Sequence, residues 1–193
     1  MAPRNLKKKT SIAGVLGDLK PDSLARSSRR SEAWFENKLK HKDIDKRTMV
    51  TRPSVGRMFI YSYDPKYKAV LPVYDRFPLV MPFGMYNNGW IGLNFHYLAP
   101  KMRFILLNEL MKINGRKELL PKARLQLSWE LLKKASLHRL VAPTVHRYLY
   151  SHTRGKLVKV PNAEWSFIIS MPIAKFVGKS KMQVYADSRR SMR

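Results

Sequence analysis

Beyond residue 50 the chain carries seven carboxylates, Asp64, Asp75, Glu109, Glu118, Glu130, Glu164 and Asp187. A metal-dependent nuclease needs several such groups clustered to hold Mg²⁺, and no two of these stand at the short spacing of such a motif. Of the five histidines, His41, His96, His138, His146 and His152, the last three fall eight and six residues apart, which matches neither HExxH nor a zinc finger. They read instead as a basic helical surface shared with Arg139, Arg147 and Arg154. His96 lies opposite the apolar set of its strand, a surface or second-layer position. The chain has no cysteine, which removes thiolate metal sites, thiol nucleophiles and disulfides together. There is no G-x-S-x-G, Walker loop or G-x-G-x-x-G, and Gly89-Trp90-Ile91-Gly92 reads as a turn and strand. These residues predict no catalytic centre, no metal and no cofactor, and so a non-enzymatic role.

Binding chemistry is better supplied. Lys and Arg number 38 against 13 Asp and Glu, a formal charge of +25 over 193 residues, and such an excess favours polyanionic partners. Residues 1–50 hold 13 basic and 6 acidic side chains and the remainder 25 and 7, so the folded body is cationic in its own right. With 45% hydrophobic and 11% aromatic residues, the chain is too apolar to be a disordered polycation. The candidate phosphate contacts are Lys7, Lys8, Lys9, Arg26, Arg29 and Arg30 near the start, then Arg57, Lys66, Lys68, Lys133, Lys134, Lys156, Lys159, Lys179 and Lys181, and finally Arg189, Arg190 and Arg193. Nothing resembles a recognition helix, so such binding would be salt-sensitive and indifferent to sequence. Phe59, Tyr61 and Tyr63 alternate on one side of a strand beside Arg57, with Met58 and Ile60 on the other. That pattern is either a stacking platform for unpaired nucleotides or a strand covered on both faces, and the exposure of Tyr61 separates the two.

The elements that must position these residues divide the chain in three. Residues 1–30 read as a basic extended arm, 31–50 as a docking helix and linker, and 51–193 as a single α+β domain. In the docking helix Trp34, Phe35 and Leu39 form an anchor stripe, with Glu32 and Glu36 early and Lys38, Lys40 and Lys42 late, as the helix dipole favours. Period-two alternation predicts strands over 57–63, toward 70–74, over 79–83 with Pro82 at an edge or bulge, and over 90–98 after an Asn87-Asn88-Gly89 turn. Pro100 opens a helix to about Ile113, and Pro121 opens one with the stripe Leu125, Trp129, Leu132 and Ala135. Pro143 is expected to start a third helix ending before Gly155, 157–160 and 165–171 to be further strands, and Ser180-Lys-Met-Gln183 to cap a terminal helix. The whole predicts a small twisted antiparallel sheet, open or curled toward a barrel, with a cluster of helices. No apolar run reaches the ~20 residues of a membrane span, and neither a membrane nor a small-molecule substrate is expected as a partner.

Four stretches carry a resemblance: GRMFIYSYDPKYKAVLPVYDRFPLVMPF (56–83), GWIGLNFHYLAP (89–100), LSWELLKKA (127–135) and QVYADSRR (183–190). With their D-P-K, Y-D-x-F-P and G-L-N-x-H-Y elements they resemble the DNA end protector proteins of large contractile-tailed bacteriophages. The resemblance implies a virion protein, assembled in the host cytoplasm, that sits on the end of packaged double-stranded DNA, completes the filled head and shields the terminus from exonuclease. It implies head, neck or tail proteins as further partners and brings no catalytic residues. Capping a duplex end asks for phosphate neutralisation and for an aromatic surface over the last base pair, which Phe59, Tyr61, Trp90 or Trp165 could offer. Two other readings fit the charge: a structural neck, tail or baseplate component, and an RNA-binding assembly protein of ribosomal type.

Overall fold

The computed structural model describes residues 48–137, 141–170 and 173–190. The basic arm, the docking helix with Trp34, Phe35 and Leu39, and the cations Lys7, Lys8, Lys9, Arg26, Arg29, Arg30 and Arg193 lie outside the described residues.

The strands are β1 (Met49–Val50), β2 (Met58–Tyr63), β3 (Tyr74–Asp75), β4 (Leu79–Tyr86), β5 (Gly89–Asn94), β6 (Val145–Leu149), β7 (Thr153–Val160) and β8 (Phe176–Val177). Six form an antiparallel sheet in the order β1-β7-β2-β4-β5-β6, and β3 pairs with β8 in a small second ribbon. Among the described residues the helices are α1 (Pro100–Asn114), α2 (Pro121–Leu137), α3 (Trp165–Ser170) and α4 (Lys181–Arg190). The class is α+β, as the sequence predicts. The body takes in Met49 and Val50, two residues ahead of the expected boundary, because β1 pairs with β7.

Alternation in β2 sorts its side chains between two cores. Met58 and Ile60 join Leu79, Met81 and Leu93 beneath Leu106, Leu107 and Leu110 of α1, Leu132 of α2 and Trp165, Ile168 and Ile169 of α3. Each such side chain, fully buried, contributes about 1.5–3 kcal/mol of burial. Phe59, Tyr61 and Tyr63 point the other way, into a second cluster with Val80, Trp90, Tyr148 and Leu157.

The curvature of the sheet explains the second cluster. A single 3-10 turn, Tyr150–His152, joins β6 to β7, although β5, β4 and β2 lie between them in the strand order. Four strand spacings make roughly 19 Å in a flat sheet, whereas four residues reach at most about 14 Å. The sheet must therefore curl, with the aromatic face inside. Tyr61 of β2 and Tyr148 of β6, three strand spacings apart, bring their ring centroids to 5.7 Å. Tyr63 Oη accepts the Leu149 N–H at 3.1 Å and the Asp64 N–H donates to the His152 carbonyl at 3.0 Å. These bonds bridge the gap between β2 and the β6–β7 turn, but among the described residues no ladder closes the barrel, and β1 and β6 are the outer strands of the sheet. The β5–β6 pair is tight enough that a Cβ on Gly89 would lie 1.9 Å from the Tyr148 carbonyl oxygen.

Several local expectations are corrected. The span from Pro143 to Gly155 is not a helix: Ala142–Thr144 is one 3-10 turn, and β6, a second such turn and β7 follow. Of the strand expected over 165–171, the described residues 165–170 are helix, because the turn Asn162–Glu164 leads into α3, whose buried Trp165, Ile168 and Ile169 repeat at helical spacing. The strand expected over 90–98 stops at Asn94, whose side chain accepts the His96 N–H and caps a 3-10 turn, Phe95–Tyr97. The run toward 70–74 is turn until β3. Pro82 sits in the interior strand β4 at the register shift before Gly84, so it marks a bulge.

Candidate nucleic-acid interface

Three of the motif stretches, 74–78, 92–97 and 183–190, meet at one place. Asp75 is buried and accepts four hydrogen bonds: the Phe77 and Lys175 N–H groups donate to Oδ1 at 3.1 and 3.3 Å, and Asn94 Nδ2 and His96 Nδ1 donate to Oδ2 at 3.3 and 2.6 Å. A carboxylate only accepts, so the hydrogen of the neutral His96 ring is on Nδ1. Burial would raise the Asp75 pKa, but His96, the Phe77 N–H and Asn94 outweigh it and hold the carboxyl below its usual range. Burial pushes His96 down against the pull of Asp75. The pair is an ionised carboxylate and a neutral imidazole, both buried side chains, 4% and 0% exposed.

Arg103 of α1 closes the network from the other side. Its Nε donates to the Leu98 carbonyl at 2.7 Å, Nη2 to the His96 carbonyl at 2.8 Å and to the Tyr185 hydroxyl, and Nη1 to the Ile169 carbonyl at 3.5 Å. Tyr185 belongs to α4, and Ser188 of the same helix donates to the Tyr97 carbonyl at 3.2 Å. The N-terminus of α4 carries the predicted capping box: the Gln183 N–H donates to Ser180 Oγ at 3.3 Å and the Ser180 N–H to Gln183 Oε1 at 2.8 Å.

Above this network opens a cleft of about 740 Å³, between β6, the 65–75 stretch and α4. Asp75, Asn94, Tyr97, His146 and Tyr148 line its depth, and Lys66, Tyr67, Arg147 and Lys179 are among its other walls. Burial drives the His146 pKa down to about 4 against a weak opposing pull from Asp75. The Tyr97 ring lies 4.4 Å from the His146 ring, and the Tyr97 hydroxyl is pushed up, also by burial. At the edge of the curled sheet, hydrogen bonds from Lys68 and Arg154 lower the Asp64 carboxyl to about 2.

A pH dependence follows from His146. Its folded pKa lies below its unfolded value of about 6.5, so the unfolded chain takes up the proton first. The stability this contributes is complete above pH ~6.5 and is lost as the pH falls toward about 4. The loss is at most about 3 kcal/mol. Urea titrations at pH 7 and pH 4.5 are expected to show a smaller acid-induced loss in His146→Gln than in the parent; equal losses would assign the effect elsewhere.

The expected site residues scatter over several elements. Phe59, Tyr61 and Trp90 are 0–1% exposed inside the curled sheet, and Trp165 is as fully buried in the helix-covered core. None of the four offers a face to a base, so of the two alternatives the sequence leaves open for β2 the covered one holds and the stacking one falls. Tyr63 also packs inside, although it reaches a wall of the cleft. Lys66 and Lys179 reach the cleft too, Lys179 paired with Asp187 at 2.6 Å. Lys68 pairs with Asp64 at 2.8 Å. Arg57 precedes β2, Lys133 and Lys134 are exposed on α2, Lys156 and Lys159 lie on β7, Lys181 and Arg189 are in α4, and Arg190 is exposed at its end. His146 and His152 are not part of a basic helical surface: the first is in β6, and the second has Nδ1 2.9 Å from the Asp64 carbonyl oxygen. His96 is fully buried rather than superficial, because the strand ends before it. Tyr67, Tyr97, His146 and Arg147 were not expected at a site, and for His146 and Arg147 no spacing signals it. Tyr67, Asp75, Asn94, His96, Tyr97 and Tyr185 did have a signal, since each stands inside a stretch that carries the resemblance.

Among the described residues no three His, Asp or Glu side chains converge as a metal site requires, and no helix is long and apolar enough to cross a membrane. No curated protein and no solved structure matches the chain. A family model described as the phage T4 terminal DNA protecting protein matches residues 11–190.

Proposed function

Since this chain belongs to the family of the phage T4 terminal DNA protecting protein, we propose that it binds the end of packaged double-stranded DNA through the phosphate backbone without reading sequence. In this reading it shields the terminus from exonuclease, completes the filled head alongside head, neck or tail proteins, and catalyses no reaction. One observation carries the binding mode. From residue 51 on, 25 Lys and Arg face 7 acids, and those acids are largely committed: Asp75 is buried against His96, Asp64 holds Lys68 and Arg154, and Asp187 holds Lys179. Most cations of the body therefore lack a carboxylate to neutralise them, and exposed ones occur on α2 and on β7, whereas Arg190 at the end of α4 shares Asp187 with Lys179. A field spread over separate elements suits a polyanion gripped by its backbone.

The test compares linear duplex with closed-circular DNA of the same sequence across a salt series. If six or more phosphates are contacted, affinity should fall about 10³-fold or more between 50 and 200 mM salt. Linear DNA should bind more tightly than the circle and resist exonuclease when bound. Equal affinity for the two topologies would overturn end binding. Indifference to DNA together with stoichiometric capture by a virion subassembly would favour a structural neck or tail role.

A further inference from the structure

We propose that the cleft between β6, the 65–75 stretch and α4 takes a single unstacked nucleotide, the terminal one of the DNA end. The proposal rests on the end-binding reading above and gives it a site. The cleft's volume of about 740 Å³ falls in the ~300–1,000 Å³ range of sites that enclose a small organic ligand. A base pair still stacked in a duplex cannot enter such a space, whereas one base swung out of the stack can.

The walls have the chemistry for it. Of the tyrosines that line the space, Tyr97 and Tyr148 are buried while Tyr74 and above all Tyr67 are more open, and an open aromatic ring holds any base by its π-face without regard to its identity. Tyr67 is 62% exposed, with Lys66 Nζ 5.2 Å from its ring centre, so its ring lies open to a base. His146 lines the depth of the cleft with its Nε2 turned away into the protein and without a hydrogen-bond partner among the described residues, so it shapes the floor and is not itself a contact to a base. Lys66 and Arg147, both exposed, stand beside the cleft for the attached phosphate. Arg147 is held there by the Asn88 side chain at 2.9 Å and by the Tyr86 ring at 5.0 Å.

Such a site distinguishes an end from the middle of a duplex. Removing a base from the stack costs a few kcal/mol in an intact duplex and least where the base is already unpaired. The last nucleotide frays, and one in an overhang has no partner to leave. The buried aromatics inside the curled sheet need not reach the DNA, because the open Tyr67 takes over that task.

The experiment measures the affinity of the full chain for three DNAs of equal length and sequence: closed circle, blunt linear duplex, and linear duplex with one unpaired nucleotide at each terminus. The overhang is expected to bind about 10-fold more tightly than the blunt end. Tyr67→Ala, a change at an exposed position, should reduce that preference to within about 2-fold and leave binding to the circle unchanged. If linear DNA outbinds the circle but the overhang adds nothing, or if its advantage survives Tyr67→Ala, the cleft does not hold the terminal nucleotide, although end binding stands. If circle and linear DNA bind alike, both readings fall.

Discussion

Asp75→Ala is expected to cost about 3–5 kcal/mol of folding stability, because each buried donor left without its acceptor costs about 1–3 kcal/mol. The substitution leaves four donors facing an apolar gap: the N–H groups of Phe77 and Lys175, Asn94 Nδ2 and His96 Nδ1. Asn94 and His96 are fully buried and bear most of the cost, whereas the Phe77 and Lys175 N–H groups are only part-buried. A domain has about 5–15 kcal/mol in total, so the variant should sit near the edge of unfolding at ambient temperature. Asp75→Asn keeps the shape and one acceptor and should recover part of the loss. Urea denaturation of the three proteins at pH 7 reads this directly, and a loss below about 1 kcal/mol for Asp75→Ala would mean that the network does not support the fold.

Arg103→Met should be almost as damaging, at about 3 kcal/mol, although Met fills much of the same volume. The guanidinium satisfies the carbonyls of His96, Leu98 and Ile169 and meets the Tyr185 hydroxyl. It thereby ties α1 to the 3-10 turn after β5, to α3 and to α4. Its removal strands acceptors in three elements at once. At this chain length the thermal midpoint should fall by roughly 6–12 °C. Arg103→Lys keeps the charge but has a single nitrogen to offer, so it should restore little. A lysine variant that melts with the parent would show that charge, not the fork of donors, is what this position requires.

How far the fold was legible depended on whether local pattern and tertiary context agreed. In β2 the alternation of Met58 and Ile60 against Phe59, Tyr61 and Tyr63 was readable because two apolar surfaces really do flank it. The same pattern could not tell a solvent-facing row of aromatics from one wrapped inside a curled sheet, since that depends on where β6 returns, far along the chain. The helices α1, α2 and α4 were marked by Pro100, Pro121 and the Ser180–Gln183 box, signals that act within a few residues. The six residues of α3 are a short apolar run that fits either period, and Pro143 opens only one turn before β6 takes over. His96 was misplaced because counting alternate residues assumes that the strand continues, and Asn94 ends it. The cleft was the least legible feature, since its walls come from the 65–75 stretch, from Tyr97, from β6 and from α4, and no local rule links those segments.

The strand order also decides when the molecule can exist. The sheet's second row, β7, pairs with β2 through partners such as Met58 and Val160, which the chain brings together only after making everything between them. Contacts so distant in sequence are formed slowly, because the entropy of closing the loop is lost before the pairing returns anything. A growing polypeptide therefore has β2, β4 and β5 but neither row that borders them until β6 and β7 emerge. Until then the tyrosines and Trp90 that finish inside are uncovered beside an excess of unneutralised lysines. Assembly of this sheet therefore waits for β6 and β7, and a chain cut before them would be a sticky cation rather than a partial version of the finished body.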